Sequence, residues 1–244
     1  MGRPWISMVA KSIPYGDRLL GWIAAREAGV LVALLLAASG AWLFVEVAED
    51  MLEGGTRTTD ERLMLMLRTA GDLSDPLGPS WVEELARDVT GLGSAGVLTL
   101  ITIAAAGFLA LQRKRHLAFY LMAAVASGTL VGSLLKWGFA RPRPDLVPHG
   151  QVVYTSSFPS GHSMISAVAF LTLGALLASG QTNFAMRGYL MTLAVLLTLI
   201  VGVSRVYLGV HWPTDVLAGW TAGAAWALLC WALARQLRRR GAVE

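Results

Sequence analysis

Apolar positions in this chain gather into six long runs: about Gly29 to Val47, Leu92 to Leu111, Leu117 to Leu135, His162 to Ser179, Gly188 to Val203 and Thr214 to Leu233. Each approaches the roughly 20 residues that a helix needs to cross a bilayer. The pattern predicts an all-α polytopic membrane protein, with six transmembrane helices forming one bundle over residues 29–234. Residues 1–28 mix Trp5, Ile6, Leu19, Leu20, Trp22 and Ile23 with scattered basic residues, which suits a helix lying on the inner membrane surface. Residues 235–244 read as a basic tail, with Arg238-Arg239-Arg240 as an inner-leaflet anchor.

The longest polar interruption is the acidic stretch 46–90, broken by Gly54-Gly55 and Asp75-Pro76. Capping-box spacings at Thr58 with Glu61 and at Ser80 with Glu83 predict two short helices in this first outer loop. The first carries Leu63-Met64-Leu65-Met66-Leu67, too apolar for a solvated helix, and is expected to skim the lipid surface. Within the spans, Gly128, Gly132 and Lys136 share one helix face, as do His211, Asp215, Gly219 and Gly223. Small residues at that spacing allow close helix contact. Both stripes therefore point into the bundle, and the Gly219–Gly223 pair is expected to serve packing within the chain rather than a dimer seam.

Composition agrees with this reading and charge orients it. Hydrophobic residues make up 55% and charged residues 15% of the chain, with a mean hydropathy of +0.56, which excludes an ordinary water-soluble domain. The net charge of +4 is unevenly spread. One side of the six spans holds Arg3, Lys11, Arg18, Arg26, Arg113, Lys114, Arg115, Arg187, Arg235 and the terminal arginines, opposed only by Asp17, Glu27 and Glu244. Such a distribution argues against nucleic acid as a partner and, by the positive-inside rule, places both termini in the cytoplasm. The single cysteine, Cys230, lies inside the last span and forms no internal disulfide.

Against this background the ionisable groups at the outward span ends stand out, because such groups are expensive at membrane depth. Lys136 ends the third span, and Arg141-Pro142-Arg143-Pro144 follows in a loop that its prolines keep out of helix. A guanidinium offers a planar donor fork suited to phosphate. Pro159-Ser160-Gly161-His162 opens the fourth span, where free backbone N–H groups and small residues make an anion site. Ser204-Arg205 ends the fifth span, and His211 and Asp215 flank the start of the sixth at a spacing that lets a carboxylate orient an imidazole.

The set resembles the type 2 phosphatidic acid phosphatase family of membrane lipid phosphate phosphatases. That family's three blocks match Lys136 with Arg143-Pro144, then Pro159-Ser160-Gly161-His162, then Ser204-Arg205 with His211 and Asp215, in order and with the expected spacings. The resemblance implies that His211 attacks phosphorus to form a phosphohistidine while Asp215 holds its tautomer. It implies that His162 protonates the leaving oxygen and then activates water. Lys136, Arg143, Arg205 and the amides near Ser160 and Gly161 would hold the phosphate oxygens; Ser204 is read as an outer contact, and Arg141, which lies outside the family's pattern, as an outer or headgroup contact. No cofactor or metal is implied, and the expected partners are a lipid phosphate and membrane lipids. The chain is expected in a bacterial inner membrane with the site facing the periplasm or exterior; its oligomeric state is left open, with a monomer slightly favoured.

Three other readings compete. The same blocks resemble those of vanadium-dependent haloperoxidases, although six spans suit a lipid better than a diffusing halide. A lipid-to-lipid phosphotransferase would use the same residues, and a non-enzymatic transporter would tolerate loss of His211. The substrate itself, whether a polyprenyl diphosphate, phosphatidylglycerol phosphate, phosphatidate or lipid A phosphate, has no readable code. Selectivity is expected in 46–90 and in the loop 145–157.

Overall fold

The computed structural model describes residues 15–147, 155–239 and 241, with side chains described from Glu27 onward. Residues 1–14, most of the tail beyond Arg239 and residues 148–154 of the expected selectivity loop lie outside the described residues. The first element, α1 (Tyr15–Leu52), is one continuous helix of 38 residues. The expected separate surface helix is therefore not a separate element over residues 15–28, where the helix runs unbroken through Gly16 and Gly21 into the apolar run. Between α1 and the later long helices come α2 (Arg57–Leu65), the hairpin β1 (Arg68–Thr69) and β2 (Asp72–Pro76), and α3 (Ser80–Gly91). The hairpin is a small departure from an all-α chain: Gly71 at φ 93° makes its turn.

Five long helices follow: α4 (Ala95–Leu111), α5 (Arg115–Gly138), α6 (Gly161–Ser179), α7 (Phe184–Tyr207) and α8 (Pro213–Arg239). Among the described residues five helices, α1, α5, α6, α7 and α8, are long and apolar enough to cross a membrane, and α3 with α4 passes the same test as a pair bent by 51°. The bend falls where Ser94 accepts a hydrogen bond from the Val97 amide and starts a new helix. The predicted capping boxes do not form. Thr56 and Pro79 occupy the two N-cap positions without side-chain cap bonds, while Glu61 and Glu83 pair instead with Arg57 and Arg87 one turn away.

Helix α6 is the centre of the bundle. Over half of its span is buried inside the protein, against 17% for α1, and it packs against α5, α7 and α8. Close approach depends on glycine. A Cβ on Gly219 would stand 2.7 Å from the Ser160 carbonyl oxygen, and one on Gly223 would stand 2.5 Å from that of Met164. The α8 stripe is thus occupied by α6 of the same chain. On α5, a Cβ on Gly128 would meet Val168 and one on Gly132 would meet Met164, so this stripe also faces α6. Outside, Leu35, Leu100, Phe108, Phe119 and Leu196 are among many exposed large apolar side chains, the surface expected of helices solvated by lipid tails. The chain is an integral membrane protein.

Candidate active site

The C-terminal ends of α5 and α7 and the N-terminal ends of α6 and α8 converge through two loops whose backbone ties are specific. The Ser157 amide donates to the Arg141 carbonyl, and the Ser160 amide donates to the Asp215 carbonyl, both at 2.9 Å. Phe158 is fully buried against Phe44 and Phe139, with ring centroids 5.7 and 5.0 Å away, which locks the loop onto α1. Between α7 and α8 the chain turns at Gly209 (φ 73°), where a Cβ would stand 2.2 Å from Val147. That turn carries His211 back over the bundle, and Pro213 begins α8 as the first-turn position favours.

His211 is 2% exposed and Asp215 wholly buried. His211 Nδ1 lies 3.3 Å from Asp215 Oδ2, and Nε2 lies 3.3 Å from Arg143 Nη1. Since an arginine only donates, Nε2 is the acceptor nitrogen and Nδ1 carries the proton toward Asp215. Asp215 is held from every other side. It accepts the Trp212 amide at 2.9 Å, Arg141 Nη1 at 2.7 Å and the hydroxyl of Ser157. Burial pushes the His211 imidazole down to about 4, partly offset by its hydrogen bond to Asp215, so the ring is neutral at ordinary pH.

Three cations surround this dyad with few counter-charges. Lys136 Nζ donates to the Ser156 carbonyl at 2.8 Å, and its Cε lies 3.1 Å from where a Cβ on Gly161 would be. Arg143 is fixed by the Val210 carbonyl at 2.7 Å and by Thr155. Burial lowers its guanidinium from its ordinary value, with Asp215 opposing. Arg205 is 2% exposed and donates to Thr90 at 3.0 Å, while its Nε finds no partner among the described residues. Lys136, Arg143 and Arg205 repel one another and His162. Such crowding is costly for the free protein and favourable for a bound polyanion. Ser160 caps α6 by accepting from the Ser163 amide, so that helix's N-terminus opens beside the cations.

A family model described as the PAP2 superfamily matches residues 117–239, the part of the chain that holds all three blocks. The chain belongs to the PAP2 superfamily. Its relatives within and around that family include phosphatidylglycerophosphatase B of Bacillus subtilis, 34% identical over 59% of this chain and 70% of that one. A lipid A 1-phosphatase of Rhizobium etli is 32% identical over 62% of this chain and 71% of its own. An undecaprenyl-diphosphatase of Sulfolobus acidocaldarius is 31% identical over 46% of this chain, which spans about half the length of that relative (53%). In fold, the chain is similar to the crystal structure of a transmembrane PAP2 type phosphatidylglycerolphosphate phosphatase from Bacillus subtilis. The TM-score is 0.74 at 24% identity, covering 83% of this chain and 98% of that one. As a member of the PAP2 superfamily, the protein is a phosphatase.

Most residues singled out from sequence meet at this end of the bundle, and one behaves differently from expectation. Ser204 spends its hydroxyl on the Val201 carbonyl within α7 at 2.7 Å and gives the site nothing. Arg141 is an outer contact of the dyad, its fork consumed by Asp215 and Thr214 on one side and Asp60 and Thr56 on the other. Sequence reasoning missed Ser157, Thr90 and Asp60. Asp60 and Met64 are four apart on α2 and both buried, so this face of the helix is turned to the protein. A cavity of about 420 Å³ adjoins the site, with Met51, Leu52, Arg57, Asp145, Trp212 and Arg143 in its walls.

Proposed function

We propose that the protein hydrolyses a terminal phosphate from a membrane lipid through a phosphohistidine, at a site on the extracytoplasmic face of a six-span bundle with both termini cytoplasmic. The observation that carries this reading is His211 Nε2, an unprotonated nitrogen held by Asp215 behind it and facing Arg143. In the first step the Nε2 lone pair forms a bond to phosphorus as the bond from phosphorus to the lipid oxygen breaks. His162 gives that oxygen its proton, and Asp215 balances the imidazolium that forms. In the second step His162 takes a proton from water, whose oxygen attacks phosphorus; the N–P bond breaks and inorganic phosphate leaves. Lys136, Arg143, Arg205 and the amides around Ser160 and Gly161 stabilise charge on the three equatorial oxygens throughout.

The substrate class follows from membrane embedding and from relatives named for phosphatidylglycerophosphate, undecaprenyl diphosphate and lipid A. The charge asymmetry of the loops supports the orientation, and counting the bent α3–α4 pair as one span supports six crossings. The cavity beside Arg143, with Met51 and Leu52 in its walls, supports this reading by offering room for the part of the lipid next to the scissile phosphate. The deciding experiment is phosphate release by detergent-purified protein from a panel of these lipids without a second lipid acceptor, with and without chelator. Turnover of at least one lipid that His211→Ala abolishes is the expected result. Silence on every lipid would overturn the hydrolase reading, and release only after adding an acceptor lipid would replace it with phosphotransfer.

A further inference from the structure

Asp60 is wholly buried although it belongs to α2, a short helix outside the membrane bundle. Both of its oxygens are committed to the region of the catalytic dyad. Oδ1 accepts the Thr214 amide at 2.9 Å, an otherwise orphaned donor in the first turn of α8. Oδ2 accepts the Thr214 hydroxyl and Arg141 Nη2, both at 2.6 Å. From the same guanidinium, Nη1 reaches Asp215 Oδ1 at 2.7 Å. A hydrogen-bonded series therefore runs from Asp60 through Arg141 and Asp215 to His211, and Arg141 lies over Trp212 with its guanidinium carbon 5.5 Å from the ring centroid. Thr56 adds a second acceptor for Nη2 at 3.1 Å.

We propose that Asp60 is a positioning residue of the catalytic dyad, fixing Arg141 so that Asp215 presents its other oxygen to His211 Nδ1. The proposal rests on the assignment of His211 as nucleophile. Physical necessity supports it. A guanidinium bound to a single carboxylate is free to close on it bidentately with both arms. Such closure would draw Asp215 away from the imidazole and neutralise the charge that the imidazolium needs. A second carboxylate at the far arm holds the fork open and divides its charge between two anions. The extracytoplasmic helix α2 thereby becomes part of the catalytic apparatus rather than a cover over it.

The test uses the full-length protein in detergent, with short-chain phosphatidate as the probe and turnover expressed per folded molecule. Asp60→Asn is expected to lower kcat about 10- to 100-fold, with KM within about twofold, as loss of an outer partner of a working histidine does. In an Asp215→Asn background, where turnover still exceeds the uncatalysed rate, the same change is expected to have no further effect. An equal fall in both backgrounds, or a change confined to KM, would reduce Asp60 to a docking residue and overturn the proposal. Should Asp60→Asn fail to fold, Thr56→Val replaces it; a fall in kcat that Thr56→Ser restores supports the proposal, and a wild-type kcat overturns it. His211→Ala in the same assay separates the two levels. Wild-type turnover there sinks the nucleophile assignment, whereas loss there beside an unaffected Asp60→Asn sinks the positioning role alone.

Discussion

Asp215 stands one helical turn beyond His211, with its Oδ2 3.3 Å from His211 Nδ1 and its Oδ1 2.7 Å from Arg141. The carboxylate is therefore shared between an imidazole and a guanidinium, one on each oxygen. Asp215→Asn preserves the shape but presents an amide where the tautomer requires an acceptor. We expect kcat to fall about 10³- to 10⁴-fold, the scale seen when a triad carboxylate is neutralised, with the protein still folded by its thermal midpoint. Steady-state turnover on the best lipid of the panel reads the effect.

Ser157 donates its hydroxyl to the same oxygen that faces His211 and lies 3.4 Å from Nδ1. It is fully buried and its backbone is tied to Arg141, so Ser157→Ala deletes one hydrogen bond without freeing the loop. A bond to a charged acceptor is worth about 1.5–3 kcal/mol, and each 1.4 kcal/mol lost from the transition state is about tenfold in rate. The expected outcome is a kcat about 10-fold lower, with little change in KM.

Acid pH should act on His211 late. Its imidazole is held down to about 4 by burial, so the acid fall in kcat/KM that belongs to this ring is expected near pH 4 rather than near its ordinary value. Asp215 acts in the opposite sense and raises the ring; Asp215→Asn should shift that fall to still lower pH. Folding shows the complementary effect. In the unfolded chain the ring takes up its proton as pH drops below its ordinary value of 6.5, while the folded ring stays neutral to about 4. Stability is unaffected above that window, falls across it and levels off below it. Thermal midpoints measured across the range check the sign.

The dyad, the cations and the α6 N-terminus were legible because each block is local: spacing and helix period place their residues together at span ends. What joins the blocks was not. Asp60 meets Thr214 across 154 positions and Arg205 meets Thr90 across 115, and neither Asp60 nor Thr90 differs in type from the acidic and hydroxyl residues around it. Ser204 misled for the converse reason. It neighbours Arg205 in sequence, but a helix turns successive side chains about 100° apart, and its hydroxyl bonds back into its own helix. The α3–α4 bend was missed because Ser94 reads as an ordinary small residue within an apolar run, although it is an effective N-cap.

Gly219 and Gly223 give the most direct test that α8 is aimed by α6. A methyl on Gly219 would stand 2.7 Å from the Ser160 carbonyl and 2.8 Å from Ser163 Cβ, and one on Gly223 would stand 2.5 Å from the Met164 carbonyl. These obstacles are backbone and short side chains, so the helices must separate. Overpacking of this kind costs about 1–3 kcal/mol. Gly219→Ala should lower both the thermal midpoint and turnover, because it pushes on the residue that caps α6 at the site. Gly223→Ala, one turn deeper, should lower the midpoint with a smaller effect on turnover. Gly107 in α4 has no such neighbour within 4 Å, and Gly107→Ala should leave both unchanged. Equal behaviour of all three variants would mean that α8 does not depend on close contact with α6 for its aim.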